Sequence, residues 1–219
     1  RFIIKNNNLE LKKNPVDDES KFHKYQEYIK DIKHNDFFYE NKFRKEKISF
    51  PYSISVLKNA RRNIPIIYWV LKINNLKNQN KVTSDIEWNP MKIIMDINLQ
   101  WRIKLFQDSC TKKLLKKIIE EFVIYSKINK FKAVFAFLPQ KDDLLFIKKN
   151  YNFFEDFLKE ISTIKDLYVI DLTNFLIKTD NLEPLFSDEN EYGGHYSKEG
   201  NELVASIFSE ELKRLKLRN

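Results

Sequence analysis

The sequence predicts an α/β fold built around parallel strands, and three segments of its C-terminal half carry this prediction. Residues 133–138 form a continuous apolar run that ends at Pro139, and residues 167–171 form a second run. Short runs that are apolar throughout are typical of strands buried on both faces. Residues 142–161, between the two runs, have the apolar spacing of a helix. A strand, a helix and a strand in this order predict two parallel strands joined by a right-handed crossover.

The composition indicates a globular protein with one core. The 219 residues suffice for one sizeable domain and require no second one. A hydrophobic content of 42% excludes a disordered chain. The chain has three glycines, and two of them, Gly193 and Gly194, are adjacent. Because backbone positions with positive φ favour glycine and then asparagine, we expect asparagines to supply most of the tight turns.

The charge and the cysteine content narrow the classes of partner and site. A net charge of +8 raises the question of an anionic partner such as nucleic acid. The lysines are spread among 31 acidic residues, which favours a solvated surface, so no nucleic-acid partner is expected. Cys110 is the single cysteine, which excludes an intramolecular disulfide and a multi-cysteine metal site, and it is expected to be buried in a helix. No apolar run approaches the roughly 20 residues of a membrane-spanning helix.

The N-terminal segment, residues 1–16, predicts a β-hairpin. Two short extended runs flank the asparagines at positions 6–8, and Pro15 ends the second run. A helix is predicted to begin at Asp17 or Ser20, because apolar residues at helical spacing follow.

The central part of the chain predicts helices and one loop. Residues 49–76 predict a helix in two parts, broken at Pro65 because proline removes a backbone donor and clashes with the preceding turn. Residues 77–89 are polar, rich in Asn and Lys, and predict a loop or insertion. Residues 99–128 predict one long helix. Its buried stripe is expected to hold Leu105, Cys110, Leu114, Ile118, Phe122 and Tyr125.

Chemistry is predicted where the parallel strands end, because ligands of open parallel sheets bind outside the carboxyl ends of the strands. Three loops qualify: residues 139–142, residues 171–174 and the loop that carries Gly193-Gly194-His195. Histidine ionises near neutral pH, so His195 can accept and return a proton. The alternative is that His195 is a loop residue that hydrogen-bonds the start of the final helix, for which Ser197 is the predicted N-cap.

Residues 192–205, Tyr-Gly-Gly-His-Tyr-Ser-Lys-Glu-Gly-Asn-Glu-Leu-Val-Ala, resemble the final block of bacterial SGNH (GDSL-like) hydrolases. In that block a catalytic histidine precedes a short polar turn, a Gly-Asn or Gly-His pair and an apolar helix. The strand that ends at Leu138-Pro139 is similar to the family strand before its last crossover, and residues 169–173 are similar to the strand before the histidine loop. The resemblance implies a three-layer, flavodoxin-like α/β domain, of which residues 1–219 are the C-terminal portion.

The resemblance also implies a reaction. It points to an ester hydrolase or O-acyltransferase that acts on a small-molecule or glycan acyl ester, with no cofactor or metal. His195 would be the general base for a serine nucleophile. The family serine lies in a Gly-Asp-Ser-like turn, and no glycine precedes Gly193, so we expect the serine upstream of Arg1.

The acid that orients the imidazole departs from the family pattern. The family often places an aspartate three residues before the histidine, where this chain has Tyr192. Asp188, Glu189 and Glu191 are close in sequence, and spacing alone does not distinguish them. Asp188 is predicted as the second catalytic residue, and the alternative is a backbone carbonyl that orients the ring. Asp171 is predicted to cap the short helix that follows it rather than to serve as this acid.

The sequence is also compatible with two other classes of function. The first alternative is a non-catalytic basic binding module for nucleic acid or an anionic glycan, which needs lysines and aromatic residues converging on one face. The second is a decayed SGNH-like domain kept for interaction. Asp142 and Asp143 could bind a cation, but acidic residues at a helix N-terminus are the simpler interpretation. His23 and His34 have no partner at metal-ligand spacing and are expected on the surface.

Overall fold

Helices and two small sheets make up the mixed α/β fold of this chain. The computed structural model describes residues 2–36, 38–187 and 193–215. They fall into two compact units, Arg1–Asn98 and Leu99–Asn219. Each unit has its own sheet, which is two-stranded and antiparallel in the first unit and two-stranded and parallel in the second.

The first unit begins with the predicted hairpin. Strand β1 (Phe2–Lys5) pairs in antiparallel register with β2 (Asn8–Leu11). The turn consists of Asn6 and Asn7, whose φ angles are 49° and 66°. Two consecutive positive φ angles are typical of the tight hairpin turn that matches strand twist, and asparagine tolerates them. The hairpin and the use of asparagine in its turn are both confirmed.

Helices form the rest of the first unit. Asp18 caps a short 3₁₀-helix, Glu19–Lys24, by accepting the Ser20 N–H at 2.8 Å, which confirms the predicted helix start to within two residues. The α-helices that follow are α1 (Tyr25–Asn35), α2 (Arg44–Glu46), α3 (Tyr52–Lys58), α4 (Ala60–Asn78) and the first part of α5 (Ser84–Gln107).

Two predictions for the first unit are wrong. The break between α3 and α4 lies at Asn59 (φ −129°, ψ 49°), while Pro65 lies inside α4. Pro65 is in the second turn of that helix, where its missing N–H removes a single intrahelical hydrogen bond. The predicted loop at residues 77–89 is reduced to residues 79–83, because α5 already begins at Ser84. The polar composition there is that of two exposed helix ends.

The second unit contains the predicted parallel pair. Strands β3 (Ala133–Phe137) and β4 (Leu167–Asp171) pair in parallel, with Ala133 opposite Leu167 and Phe137 opposite Asp171. The helices of this unit are the end of α5, α6 (Ser109–Ile128), α7 (Lys141–Lys149), α8 (Glu155–Ser162), α9 (Thr173–Leu176) and α10 (Lys198–Arg214), with a 3₁₀-helix at Glu183–Leu185.

Two helices predicted as continuous are interrupted. The one predicted at residues 99–128 breaks at Asp108, whose carboxylate caps α6 by accepting the N–H of Thr111 at 2.7 Å. The one predicted at residues 142–161 is divided into α7 and α8 because α7 ends at Asn150 (φ −132°, ψ −115°). Apolar spacing continues through both breaks, so periodicity alone does not reveal them.

The buried stripe of α6 also differs from the prediction. Ile119, Val123 and Ser126 are buried, whereas Phe122 and Tyr125 are exposed. Cys110, expected in the interior, is exposed as well. Five of the six predicted stripe residues lie within α6 itself, so the prediction chose the wrong face of that helix.

Both faces of the parallel pair are covered by helices. Phe135, Phe137 and Val169 pack against a core that includes Phe157 and Ile161 of α8. Val134, Ala136 and Ile170 pack on the opposite face. That face is completed by Leu144 of α7, Leu176 of α9, and Leu203, Val204, Ile207 and Phe208 of α10. The strands are therefore buried on both sides, as their unbroken apolar sequences predict.

Packing around α8 gives a stability prediction. Ile161 is 0% exposed, and Ile128 at the end of α6 is 73% exposed. Ile161→Ala is expected to lower the free energy of unfolding by about 2–5 kcal/mol because it leaves a cavity in a closed core. Ile128→Ala makes the same change at the surface and should stay within about 0.5 kcal/mol of the original chain. Urea unfolding measures both, and equal losses would contradict this core.

Candidate functional site

The loop that carries Gly193-Gly194-His195 lies at the carboxyl ends of the parallel strands. The Gly193 carbonyl accepts the backbone N–H of Lys141 at 2.9 Å. The Tyr196 hydroxyl donates to the carbonyl of Pro139, two residues after β3, at 2.6 Å. The histidine loop and the loop after β3 are thus in contact, as two of the three predicted loops should be.

The third predicted loop begins at the same edge. The N–H of Leu172, directly after β4, donates to the Phe137 carbonyl at 3.1 Å. The Asp171 carboxylate accepts the N–H of Thr173 at 2.9 Å and the side-chain amide of Asn174 at 3.2 Å. The Asp171 carboxylate therefore accepts hydrogen bonds from the first turn of α9, as a cap would, although the N-cap position itself is Leu172.

The two adjacent glycines allow this arrangement in different ways. Gly193 has a φ of 128°, an angle that residues other than glycine rarely adopt. A Cβ added at Gly194 would lie 3.0 Å from the Gln140 side chain. A side chain at position 193 would therefore strain the backbone, and one at position 194 would require the Gln140 side chain to shift.

The backbone around His195 is fixed on its second side by the segment before the loop. The His195 carbonyl accepts the Ser187 N–H at 2.8 Å and the Ser187 hydroxyl at 3.0 Å. The Tyr196 ring stacks on Phe186 with centroids 4.8 Å apart. The residue His195 is nevertheless exposed. Its backbone is thus held in place while the residue faces solvent at the strand ends, which suits a group that exchanges a proton with a second reactant.

Asp188, predicted to orient the imidazole, lies outside the described residues, as do Glu189, Glu191 and Tyr192. The role of Asp188 therefore stays a prediction.

A buried ionic cluster lies at the start of α7 and was not predicted from the sequence. Asp142 and Asp143 are 3% and 4% exposed, and Arg102 of α5 pairs with both of them. Its guanidinium Nη2 binds Asp142, and its Nε and Nη2 lie 3.1 and 2.9 Å from Oδ1 of Asp143. Lys141 is 0% exposed and its Nζ lies 2.6 Å from Glu183.

The same aspartates serve the helix that they begin. The Asp143 carboxylate accepts the Gln140 N–H at 3.0 Å and completes a capping box. Negative charge in the first turn also favours the helix dipole. The simpler interpretation of these acids, a helix N-terminus, is therefore correct, but their burial against Arg102 had no signal in the local sequence. Arg102 precedes Asp142 by 40 positions and Asp143 by 41 positions in the sequence.

Burial changes the acid–base behaviour of this region. Burial raises the pKa of the Asp142 carboxyl above its ordinary value, and the nearby Arg102 charge offsets this only in part. Asp142 Oδ1 is buried and has no hydrogen-bond partner among the described residues. Burial and the charge of Asp143 raise the pKa of Tyr196 to about 12. The Tyr196 hydroxyl is therefore protonated at neutral pH and available as the donor to Pro139.

The described residues contain neither a group of metal ligands nor a membrane-spanning helix. Among the described residues, no three His, Cys, Asp or Glu side chains are grouped so that they could hold a metal ion. Within the same ranges no helix is long and apolar enough to cross a bilayer.

Comparison with known proteins identified no relative of this chain. No protein-family model matches the chain, and neither a curated protein nor a solved structure is significantly similar to it. The likeness to SGNH hydrolases therefore rests on residues 192–205 and on the two strands that precede them.

Removal of Arg102 tests the buried cluster. Arg102→Met is expected to lower the free energy of unfolding by about 3–5 kcal/mol, since two buried carboxylates lose their counter-charge. The matched control is Arg214→Met, which removes an exposed ion pair with Glu211 and should cost less than about 1 kcal/mol. Similar losses in the two variants, measured by urea unfolding, would show that the cluster does not anchor α7.

The raised pKa of Asp142 gives a pH dependence. A carboxyl whose pKa is higher in the folded state binds its proton more tightly there. Folding is therefore favoured at low pH, and this contribution is lost as the pH rises from the ordinary aspartate pKa through the folded value. Asp142→Asn removes the titration, so its stability relative to the original chain should increase over that range. Unfolding free energies measured between acidic and neutral pH check this, and a constant difference would contradict it.

Proposed function

We propose that this chain provides the general base, His195, of an SGNH-type ester hydrolase or O-acyltransferase whose serine nucleophile lies upstream of Arg1. The observation that carries the proposal is the position of the histidine loop. Its backbone is fixed at the carboxyl ends of two parallel strands, and His195 is exposed there. This edge is where parallel α/β sheets place their chemistry.

The proposed fold is the three-layer, flavodoxin-like domain of that family. Helices on both faces of β3 and β4 support it, as does the order of β4, histidine loop and α10 along the chain. In this proposal β3 and β4 are the last two strands of a larger parallel sheet.

In the proposed mechanism, His195 carries one proton in each of the two steps. The imidazole takes the proton of the serine hydroxyl as the oxygen attacks the acyl carbonyl, and then gives it to the leaving alcohol. The resulting acyl-serine is attacked by water in a hydrolase or by an acceptor alcohol in a transferase. The same imidazole removes the proton of the incoming group and gives it to the serine oxygen as the bond between that oxygen and the acyl carbon breaks. Backbone and side-chain donors upstream of this chain would bind the oxyanion.

Backbone contacts on either side of His195 support the proposal that it is held in position. His195 is joined to the start of α7 through the hydrogen bond between Gly193 and Lys141, and to the strand end through Tyr196 and Pro139. Asp188 is proposed to bind the second imidazole nitrogen, so that the other nitrogen faces the serine. The substrate is proposed to be a small-molecule or glycan acyl ester.

Replacement of the base is the direct test. In the protein that includes the upstream sequence, His195→Ala should lower kcat/KM for p-nitrophenyl acetate by about a thousandfold, the scale on which base removal acts in Ser-His enzymes. Thermal stability should hardly change, because His195 is exposed. His23→Ala is the matched control and should leave turnover unchanged. The 219-residue chain alone is expected to be inactive.

Two outcomes would overturn the proposal. Turnover of His195→Ala within a few-fold of the original protein would remove His195 from the chemistry. If the protein that includes the upstream sequence folds but does not hydrolyse esters, the result would favour an SGNH-like domain that functions in interaction only.

A further inference from the structure

A basic groove lies in the first unit, between the end of α2 and the end of α3. Its volume is about 500 Å³. Four of the residues that line it are cationic, and none of the described lining residues is acidic. The cations are Arg44, Lys45, Lys47 and Lys58. A concave surface with this charge attracts anions.

Five large apolar side chains of residues 48–57, termed the apolar rim, are exposed in the segment that lines the groove. Phe50 is 83% exposed, Tyr52 and Leu57 are 65% and 66% exposed, and Ile48 and Ile54 are about half exposed. Phe50 and Ile54 also line the groove itself. Single exposed apolar residues are ordinary, but five within ten residues of sequence, two of which line a cationic groove, mark a surface that contacts something other than water.

Hydrogen bonds fix the segment that carries these residues. The Ser55 hydroxyl oxygen accepts the Ser49 N–H at 3.0 Å and donates to the Lys47 carbonyl at 3.3 Å. The Asn59 side chain donates to the Lys45 carbonyl at 3.4 Å. The backbone of the lysine segment is therefore tied to α3 and to the residue that follows it, so the groove exists before any partner binds.

We propose that the basic groove and its apolar rim bind the headgroup layer of an anionic lipid bilayer. The lysines match anionic headgroups, to which each cation near the surface adds attraction. Phenylalanine, isoleucine and leucine enter the boundary between headgroups and acyl chains, where tyrosine is also favoured. This proposed binding to a bilayer does not depend on the function proposed for His195.

The kinds of apolar residue decide between a bilayer and a nucleic acid. Single-stranded nucleic acids bind through aromatic rings on which bases stack. Three of the five rim residues, Ile48, Ile54 and Leu57, are aliphatic and cannot stack on a base. Aliphatic side chains gain instead by leaving water for the acyl region. Charge complementarity together with an aliphatic rim therefore favours the lipid surface.

Vesicle sedimentation of the 219-residue chain tests the proposal. The chain should sediment with vesicles of phosphatidylcholine that contain about one third phosphatidylglycerol, and binding should weaken as salt rises. A triple variant should lower the partition coefficient between vesicles and water at least about tenfold. It carries Gln in place of Lys45, Lys47 and Lys58. Phe50→Ser, which keeps the charge, should lower it about threefold or more by removing the most exposed rim residue.

The matched control changes three exposed lysines of the second unit, Lys113, Lys149 and Lys178, to Gln. It alters the net charge equally and should keep most of the binding. Equal losses in the two triple variants, with both folded by circular dichroism, would overturn the proposal, because net charge rather than the groove would then explain binding. Absence of vesicle binding would also overturn it, as would capture of a single-stranded oligonucleotide through the groove lysines without vesicle binding.

Discussion

The guanidinium of Arg102 lies against the carboxylates of Asp142 and Asp143, both almost completely removed from water. Charges in such a place are tolerated only when they are paired, so this contact fixes where α7 begins relative to α5. The start of α7 in turn binds the histidine loop, through the hydrogen bond from Lys141 to Gly193. The position of His195 therefore depends on an interaction whose charged groups belong to other segments of the chain.

The parallel pairing of β3 and β4 determines where the cluster of Arg102, Asp142 and Asp143 lies. Because both strands run in one direction, their carboxyl ends meet at one edge, and the residues that follow them are neighbours. Apolar side chains cover both faces of the pair, so polar groups gather at the strand ends. The buried cluster, the capping carboxylate of Asp171 and the glycine pair are all consequences of that geometry.

Local patterns predicted the elements that local forces determine. The two strands, the Asn turn of the hairpin and the Ser197 cap of α10, whose hydroxyl oxygen accepts the Gly200 N–H at 3.0 Å, follow from short stretches of sequence. The breaks at Asp108 and Asn150 were missed because apolar spacing runs through them. The partner of Asp142 and Asp143 could not be predicted, since Arg102 precedes them by about forty residues and only the tertiary fold brings them together. Catalysis by His195 and the role of Asp188 remain predictions.

The central claim is that His195 activates a serine outside these 219 residues. A fluorophosphonate probe tests it most directly, because such probes modify a serine only when a base has activated it. After labelling of the protein with its upstream sequence, peptide mass spectrometry should place the label on a serine before Arg1, and His195→Ala should abolish it. A label that survives His195→Ala, or one on a serine within the 219 residues, would contradict the account.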